Sequence, residues 1–174
     1  LSEIRNEAEI AVREGVKHLV LSDKEINTEK ASIPMALTIG AINSKLIESG
    51  IRGFTSINIQ TSEVLDTHSL AVMLGVGATT VNPYIAFDSI YQRYEKKLFG
   101  KISYEECTHR YVKSLDNGIL KIMSKMGISV ISSYRGGCNF EAVGLSRSVV
   151  AEYFPGMVSR ISGIGIAGIE KKIK

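Results

Sequence analysis

The sequence predicts an α/β architecture of βα units with a mainly parallel sheet, resembling a partial (β/α)8 barrel. Three observations carry this. Short β-branched apolar runs alternate with stretches of helical length and helical spacing. Helices, rather than two-residue turns, connect successive strands, as parallel pairing requires. Gly, Ser, Asn and Pro stand where strands close and helices open.

Residues 2–14 read as a first helix, with Ser2 as cap, Ile4, Ala8, Ala11 and Val12 at helical spacing, and Gly15 as the stop. Val16-Lys17-His18-Leu19-Val20-Leu21-Ser22 reads as a strand, followed by a polar loop over 23–32. Pro34 suits the first turn of a second helix, where its missing amide has no intrahelical partner; Gly50 ends that helix. Ser56-Ile57-Asn58-Ile59-Gln60 alternates with period two and reads as the second strand, closed by Thr61-Ser62. Residues 64–74 read as helix, and Gly75 and Gly77 turn into a third strand, Thr79-Thr80-Val81. Asn82-Pro83 ends it.

Residues 84–100 and 103–126 predict two longer helices. Ser103 and Glu106 have capping-box spacing, Gly118 is expected to bend or interrupt the second helix, and Phe87, Tyr91 and Tyr94 are expected to form one buried stripe. Gly127 closes this region. Ile128-Ser129-Val130-Ile131-Ser132 predicts a fourth strand, residues 140–145 and 146–153 two short helices, and the tail from Pro155 an irregular segment. The domain reading is therefore an α/β segment over 1–154 and an exit segment over 155–174. Half a barrel has an edge strand on each side, so its sheet must be covered or meet a neighbour.

With 174 residues, 44% apolar and 22% charged, the chain has room for a substantial core. A net charge of +3 is too mild for a nucleic-acid partner, and Lys171, Lys172 and Lys174 read as a solvated end. No apolar run reaches the ~18 residues a membrane span needs. Cys107 and Cys138 lack metal-ligand spacing, and two thiols without a signal segment point to a reducing compartment, the cytoplasm. The first residue, Leu1, fits an excised piece or a cloned fragment equally well.

Gly163-Ile164-Gly165-Ile166-Ala167-Gly168 fits the G-x-G-x-x-G pattern, but the strand, the helix and the acid ~20 positions on that would make it a dinucleotide site are not expected so close to Lys174. His18, His68 and His109 are too scattered for a metal site. Asp66-Thr67-His68 follows a strand end, where parallel α/β proteins place active sites, which singles out His68. Asp23, Glu63 and Asp66 also lie near strand ends and read as helix caps. Cys138 is expected to be buried. Ser132-Ser133-Tyr134-Arg135-Gly136-Gly137 is the best anion-site candidate, joining a strand to a helix with backbone amides, hydroxyls and an arginine. No catalytic, cofactor-binding or metal-ligating set emerges.

Several blocks together resemble glutamate synthase. They are Glu7-Ala8-Glu9-Ile10-Ala11-Val12-Arg13-Glu14-Gly15 with Leu19-Val20-Leu21-Ser22-Asp23, then Ile33-Pro34-Met35-Ala36-Leu37, then Leu74-Gly75-Val76-Gly77-Ala78 with Val81-Asn82-Pro83-Tyr84. Asp116-Asn117-Gly118-Ile119-Leu120-Lys121-Ile122-Met123-Ser124-Lys125-Met126-Gly127-Ile128-Ser129 is the most specific block, followed by Ser133-Tyr134-Arg135-Gly136 with Phe140-Glu141-Ala142-Val143-Gly144-Leu145, and Ser159-Arg160-Ile161. The likeness covers nearly the whole chain. It departs at Asn43-Ser44, where the family has a histidine-rich stretch, at Thr61-Ser62, where it has an acidic-glycine turn, and at Gly137-Cys138-Asn139, where it has Ala-Gln.

The resemblance implies the later part of the central domain of a glutamate synthase large subunit, ending about where the FMN-binding barrel begins. It implies an oxidoreductase parent that converts glutamine and 2-oxoglutarate to two glutamates, serving ammonia assimilation. The parent family uses FMN and an iron–sulfur cluster, and this segment is expected to hold neither. Its expected partners are the amidotransferase and FMN-binding domains of the same polypeptide, which it would position while walling the ammonia path. Ser133, Tyr134, Arg135, Asn82 and His68 are the candidate ligand or tunnel-facing residues. The competing expectation is a freestanding α/β module that binds a small anion with the 132–137 loop and the strand ends near Ser22, Ser62 and Asn82.

Overall fold

In the computed structural model, which describes residues 1–27, 29 and 31–173, the elements alternate as follows. They are α1 (Ser2–Arg13), β1 (His18–Ser22), α2 (Met35–Glu48), a 3-10 turn (Arg52–Phe54), β2 (Ser56–Gln60), α3 (Thr67–Val76), β3 (Thr80–Asn82), α4 (Tyr84–Glu95) and α5 (Tyr104–Met126). Then follow α6 (Ile131–Tyr134), β4 (Glu141–Leu145), α7 (Arg147–Tyr153), β5 (Val158–Ile164) and α8 (Ile166–Ile173). Lys174, last of the basic tail, and Thr28 and Lys30 of the polar loop lie outside the described residues.

Strands β1, β2 and β3 form one parallel sheet in that order, with His18 opposite Ser56, Ser22 opposite Gln60, and Gln60 opposite Asn82. Strands β4 and β5 form a separate parallel pair. Every crossover is helical, so the α/β reading with partial-barrel topology holds.

The core centres on α2, packed between the sheet and helices α1, α3 and α7. Ile39, Ile42 and Leu46 of α2 are fully buried, together with Ile57, Val64 and Ala78. Each large aliphatic side chain hidden in this way contributes about 1.5–3 kcal/mol. A second cluster, Ala71, Leu74, Ile119, Met123 and Tyr134, joins α3 to α5. Gly40 lets α2 approach α7: a Cβ there would meet Tyr153 O at 2.6 Å and the Phe154 ring at 2.5 Å.

The predicted fourth strand at 128–132 does not form. Gly127 adopts the left-handed conformation that ends α5, and Val130 then opens the single turn α6. That turn drives Tyr134 into the second cluster at 1% exposure, and burying so large a ring outweighs the β propensity of the run. Without that strand, β3 is an edge. Beside it runs an apolar cleft of about 560 Å³, lined by Leu70, Val81, Phe87, Leu115, Ile119 and others.

Residues 141–145 are strand rather than helix, and the tail is ordered as β5 and α8 rather than irregular. The cause is close backbone approach: Gly163 lies so near the Gly144 backbone that a Cβ has no room. The strand and helix flanking the G-x-G-x-x-G pattern are thus present, contrary to expectation. Its glycines serve packing, Gly163 against Gly144 and Gly168 against the Ile164 side chain.

Helix α5 runs unbroken through Gly118, which instead makes room for Thr67 of α3. Ser103 caps α5 by accepting from the Glu106 amide at 3.2 Å, but the Glu106 carboxylate turns to Arg110 at 2.7 Å instead of completing the box. The aromatic residues of α4 do not make a buried stripe. Tyr91 is half exposed, and the rings bridge to α5 edge-on, Phe87 to Tyr111 at 5.9 Å and Tyr91 to Tyr104 at 5.5 Å.

Candidate functional site

Parallel strands collect polar groups at their C-terminal ends, and here those groups bind one another. The Asp23 carboxylate, after β1, accepts from Thr61 Oγ1 at 2.8 Å, the Ser62 amide at 2.9 Å and Ser62 Oγ at 3.0 Å. The Thr61 amide donates to Asn82 O at 3.0 Å, and Asp23 N to Gln60 O at 3.2 Å. Ser22 Oγ donates to Gln60 Oε1 at 2.9 Å. The ends of β1, β2 and β3 are therefore laced into one clamp.

Glu63 extends the clamp to α2. Its Oε1 accepts the Met35 amide at 2.8 Å, serving a helix whose N-cap, Pro34, has no side chain for the task. Desolvation raises the Glu63 pKa, the Met35 amide opposes that rise, and the Asp23 charge adds to it. Tyr84 is raised by burial first and then by its hydrogen bond with Asp23, while the Lys24 ammonium lies 5.9 Å from its ring centre. Both carboxylates accept hydrogen bonds within the fold. Among the described residues no group of three His, Cys, Asp or Glu side chains could hold a metal ion. The arrangement positions backbone.

The candidate residues fall in different places. Asn82 is exposed at the end of β3, with only its carbonyl in the clamp. His68 is exposed in the first turn of α3, edge-on to Phe140 with centres 6.4 Å apart. Asp66 caps that helix, accepting from the Ser69 amide at 2.8 Å. Ser133 is exposed on α6, and Tyr134 is a core residue whose pKa burial raises.

Arg135 lies at the other end of the sheet. The Gly136 amide donates to Gly75 O at 2.9 Å, near the end of α3 and just before β3 begins. The length of a five-residue strand, roughly 16 Å, separates this loop from the clamp. The structure therefore does not bring the 132–137 loop together with Ser22, Ser62 and Asn82.

At this N-terminal end the loop meets a residue the sequence reading passed over. Arg52 donates from Nε to Asn43 Oδ1 at 2.7 Å, from Nη1 to Thr55 O at 2.7 Å and from Nη2 to Gly77 O at 2.8 Å. It staples α2, the start of β2 and the turn into β3. Burial lowers its pKa, and the neighbouring Arg135 charge lowers it further. Arg52 and Arg135 line one cleft of about 300 Å³ with Asn43, Thr55, Gly77 and Gly136. The only sequence signal was a lone arginine in the short turn between a helix and a strand. Cys138, expected buried, is exposed in the left-handed region with φ 51°. No helix among the described residues is long and apolar enough to cross a membrane.

A family model for the glutamate synthase central domain matches residues 1–146. The NADPH-type glutamate synthase large chain of Azospirillum brasilense is 57% identical over 173 residues, 99% of this chain and 11% of that one. The large chain of Bacillus subtilis (strain 168) is 40% identical, again over 99% of this chain and 11% of its own length. The ferredoxin-dependent chloroplastic enzyme of Spinacia oleracea is 38% identical over 94% of this chain and 11% of its own. The chain thus spans about a tenth of the length of these relatives. Among solved structures, a mutant flavocytochrome b2 with benzoylformate superposes with a TM-score of 0.56 at 16% identity, over 75% of this chain and 31% of that one. A second, with pyruvate bound, gives 0.56 at 14% identity over 98% and 37%. At such identities the likeness speaks to the fold alone.

Proposed function

The chain belongs to the glutamate synthase central-domain family, and on that premise we propose that it is a connecting segment of such an enzyme rather than a catalyst in its own right. Its parent reaction is the conversion of glutamine and 2-oxoglutarate, with two electrons and two protons, to two glutamates. The segment positions an amidotransferase domain and an FMN-binding domain of the same cytoplasmic polypeptide and helps wall the ammonia path between them. FMN and the iron–sulfur cluster sit outside it, and residues 155–174 lead toward the flavin domain.

One observation carries this reading. The buried carboxylate at the strand ends, where an α/β barrel places its chemistry, is occupied in holding the strands together, Asp23 by Thr61 and Ser62, while Glu63 beside it serves the Met35 amide at the start of α2. A scaffold needs that arrangement, and a catalyst needs such groups open to substrate.

Two measurements test it. The purified chain is expected to show no visible flavin absorption and no glutamine hydrolysis; a yellow, active sample ends the proposal. In a longer polypeptide carrying this segment, Asn82→Leu and His68→Leu test the ammonia path. If either side chain faces it, glutamine consumption and 2-oxoglutarate consumption depart from one-to-one, with free ammonia appearing. Tight coupling in both variants removes those two residues from the path.

A further inference from the structure

The cleft at the N-terminal end of the sheet holds two guanidinium groups and no carboxylate. Arg52 donates once from each of its nitrogens, Nε, Nη1 and Nη2, to a neutral oxygen. Three of its five donors are used, and no carboxylate in the cleft offsets its charge. Arg135 Nε is sealed from solvent without a hydrogen-bond partner, and Arg135 joins no ion pair among the described residues. An unpaired guanidinium beside a second one is costly unless an anion in the cleft offsets the two charges.

The surroundings select the kind of anion. The amides of Ser133, Arg135, Gly136 and Gly137 donate to the carbonyls of Val130, Ile131, Gly75 and Tyr134. Those four loop amides offer no nest for the third oxygen and second charge of a phosphate. What remains is one planar guanidinium fork, which matches the two oxygens of a carboxylate.

We propose that this cleft is a seat for a single carboxylate, gripped by Arg135 and held electrostatically by Arg52. The carboxylate comes either from a small free acid or from an Asp or Glu side chain elsewhere in the longer polypeptide. Only the second source rests on the central-domain reading; the seat itself does not.

The test begins with the 174-residue chain, arginine labelled with nitrogen-15, titrated with sodium acetate and separately with inorganic phosphate at fixed ionic strength. A saturable shift of the Arg135 and Arg52 Nε–H resonances with acetate, weaker with phosphate for want of free loop amides, supports a free-acid seat. Arg135→Lys keeps the charge but removes the fork, and the acetate response, read in this variant on the Arg52 Nε–H resonance, is expected to be lost. The second arm compares Arg135→Met in the short chain and in a longer polypeptide carrying it. Unchanged or raised Tm in the short chain with lowered Tm in the long one supports a carboxylate supplied by the polypeptide. No acetate response together with the same Tm change in both settings overturns the seat. So does phosphate binding as tightly as acetate. The acetate arm is read on the unsubstituted chain, so its result stands whether or not the variants fold and whether or not the connecting-segment reading survives.

Discussion

Thr61 donates its hydroxyl to Asp23 Oδ2 at 2.8 Å across the junction of β1 and β2, with both residues buried. Asp23 follows one strand and Thr61 the next, so this hydrogen bond fixes the relative height of two parallel strands where no turn joins them. The Ser62 amide and hydroxyl complete the same carboxylate.

Asp23→Ala strips Thr61 and Ser62 of their acceptor and is expected to destabilise the fold by about 2–4 kcal/mol. Thr61→Val removes one of several donors and is expected to cost about 1–2 kcal/mol. Urea denaturation of both singles and the double gives the coupling. A value of at least ~0.5 kcal/mol is expected for residues sharing a hydrogen bond, and additivity would mean that they do not act together.

Acid should weaken the α1–α2 contact through Glu9. Hydrogen bonds from Arg13 first, then Lys45 and Ser49, lower its pKa from 4.5 to about 2. A carboxyl whose folded pKa lies below its unfolded one adds stability above the unfolded value and loses it as pH falls through the folded one. Stability measured by denaturant titration should therefore fall between about pH 4.5 and 2, and Glu9→Gln should flatten that limb. An unchanged slope in the variant would place the acid sensitivity elsewhere.

Gly40→Ala forces a methyl against the Tyr153 carbonyl and the Phe154 ring and is expected to cost about 1–3 kcal/mol by parting α2 from α7. Gly53→Ala, with nothing within 4 Å of the added carbon, is the control and should stay within about 0.5 kcal/mol. Thermal melts of the two compare a close approach with an open one.

Adjacent positions on α6 should behave as opposites. Tyr134→Ala empties the junction of α3 and α5 and is expected to cost about 3–5 kcal/mol, whereas Ser133→Ala should change stability by less than about 0.5 kcal/mol. Similar losses in both would contradict the burial of Tyr134.

Much of the architecture could be read from local chemistry. Ser103 and Gly127 bracket α5, Pro34 and Gly50 bracket α2, and the alternation of Ser56 to Gln60 reads out β2, because each signal acts within a few residues of itself. The misread elements were decided at a distance. Residues 128–132 have strand composition, but the core's need for Tyr134 folds them into a turn. Residues 141–145 become strand only because β5 comes to lie beside them. The same limit applied to the cleft. Arg135 stood out inside its loop, but its companion Arg52 is distant in sequence, and only the folding of α3 onto the sheet brings Gly77 and Gly136 beside both. The backbone amides of Ser133, Arg135, Gly136 and Gly137, expected to serve an anion, are engaged with carbonyls.

The apolar trough flanking β3 has a bearing on how the molecule behaves in company. A three-residue strand with one flank unpaired is a template on which another extended segment can lay down hydrogen bonds, and the greasy floor beside it rewards whichever arrives. Stacking of copies at high concentration and orderly docking of a neighbouring domain are then rival uses of one ledge. A lysine introduced at exposed Thr80 would discourage both together.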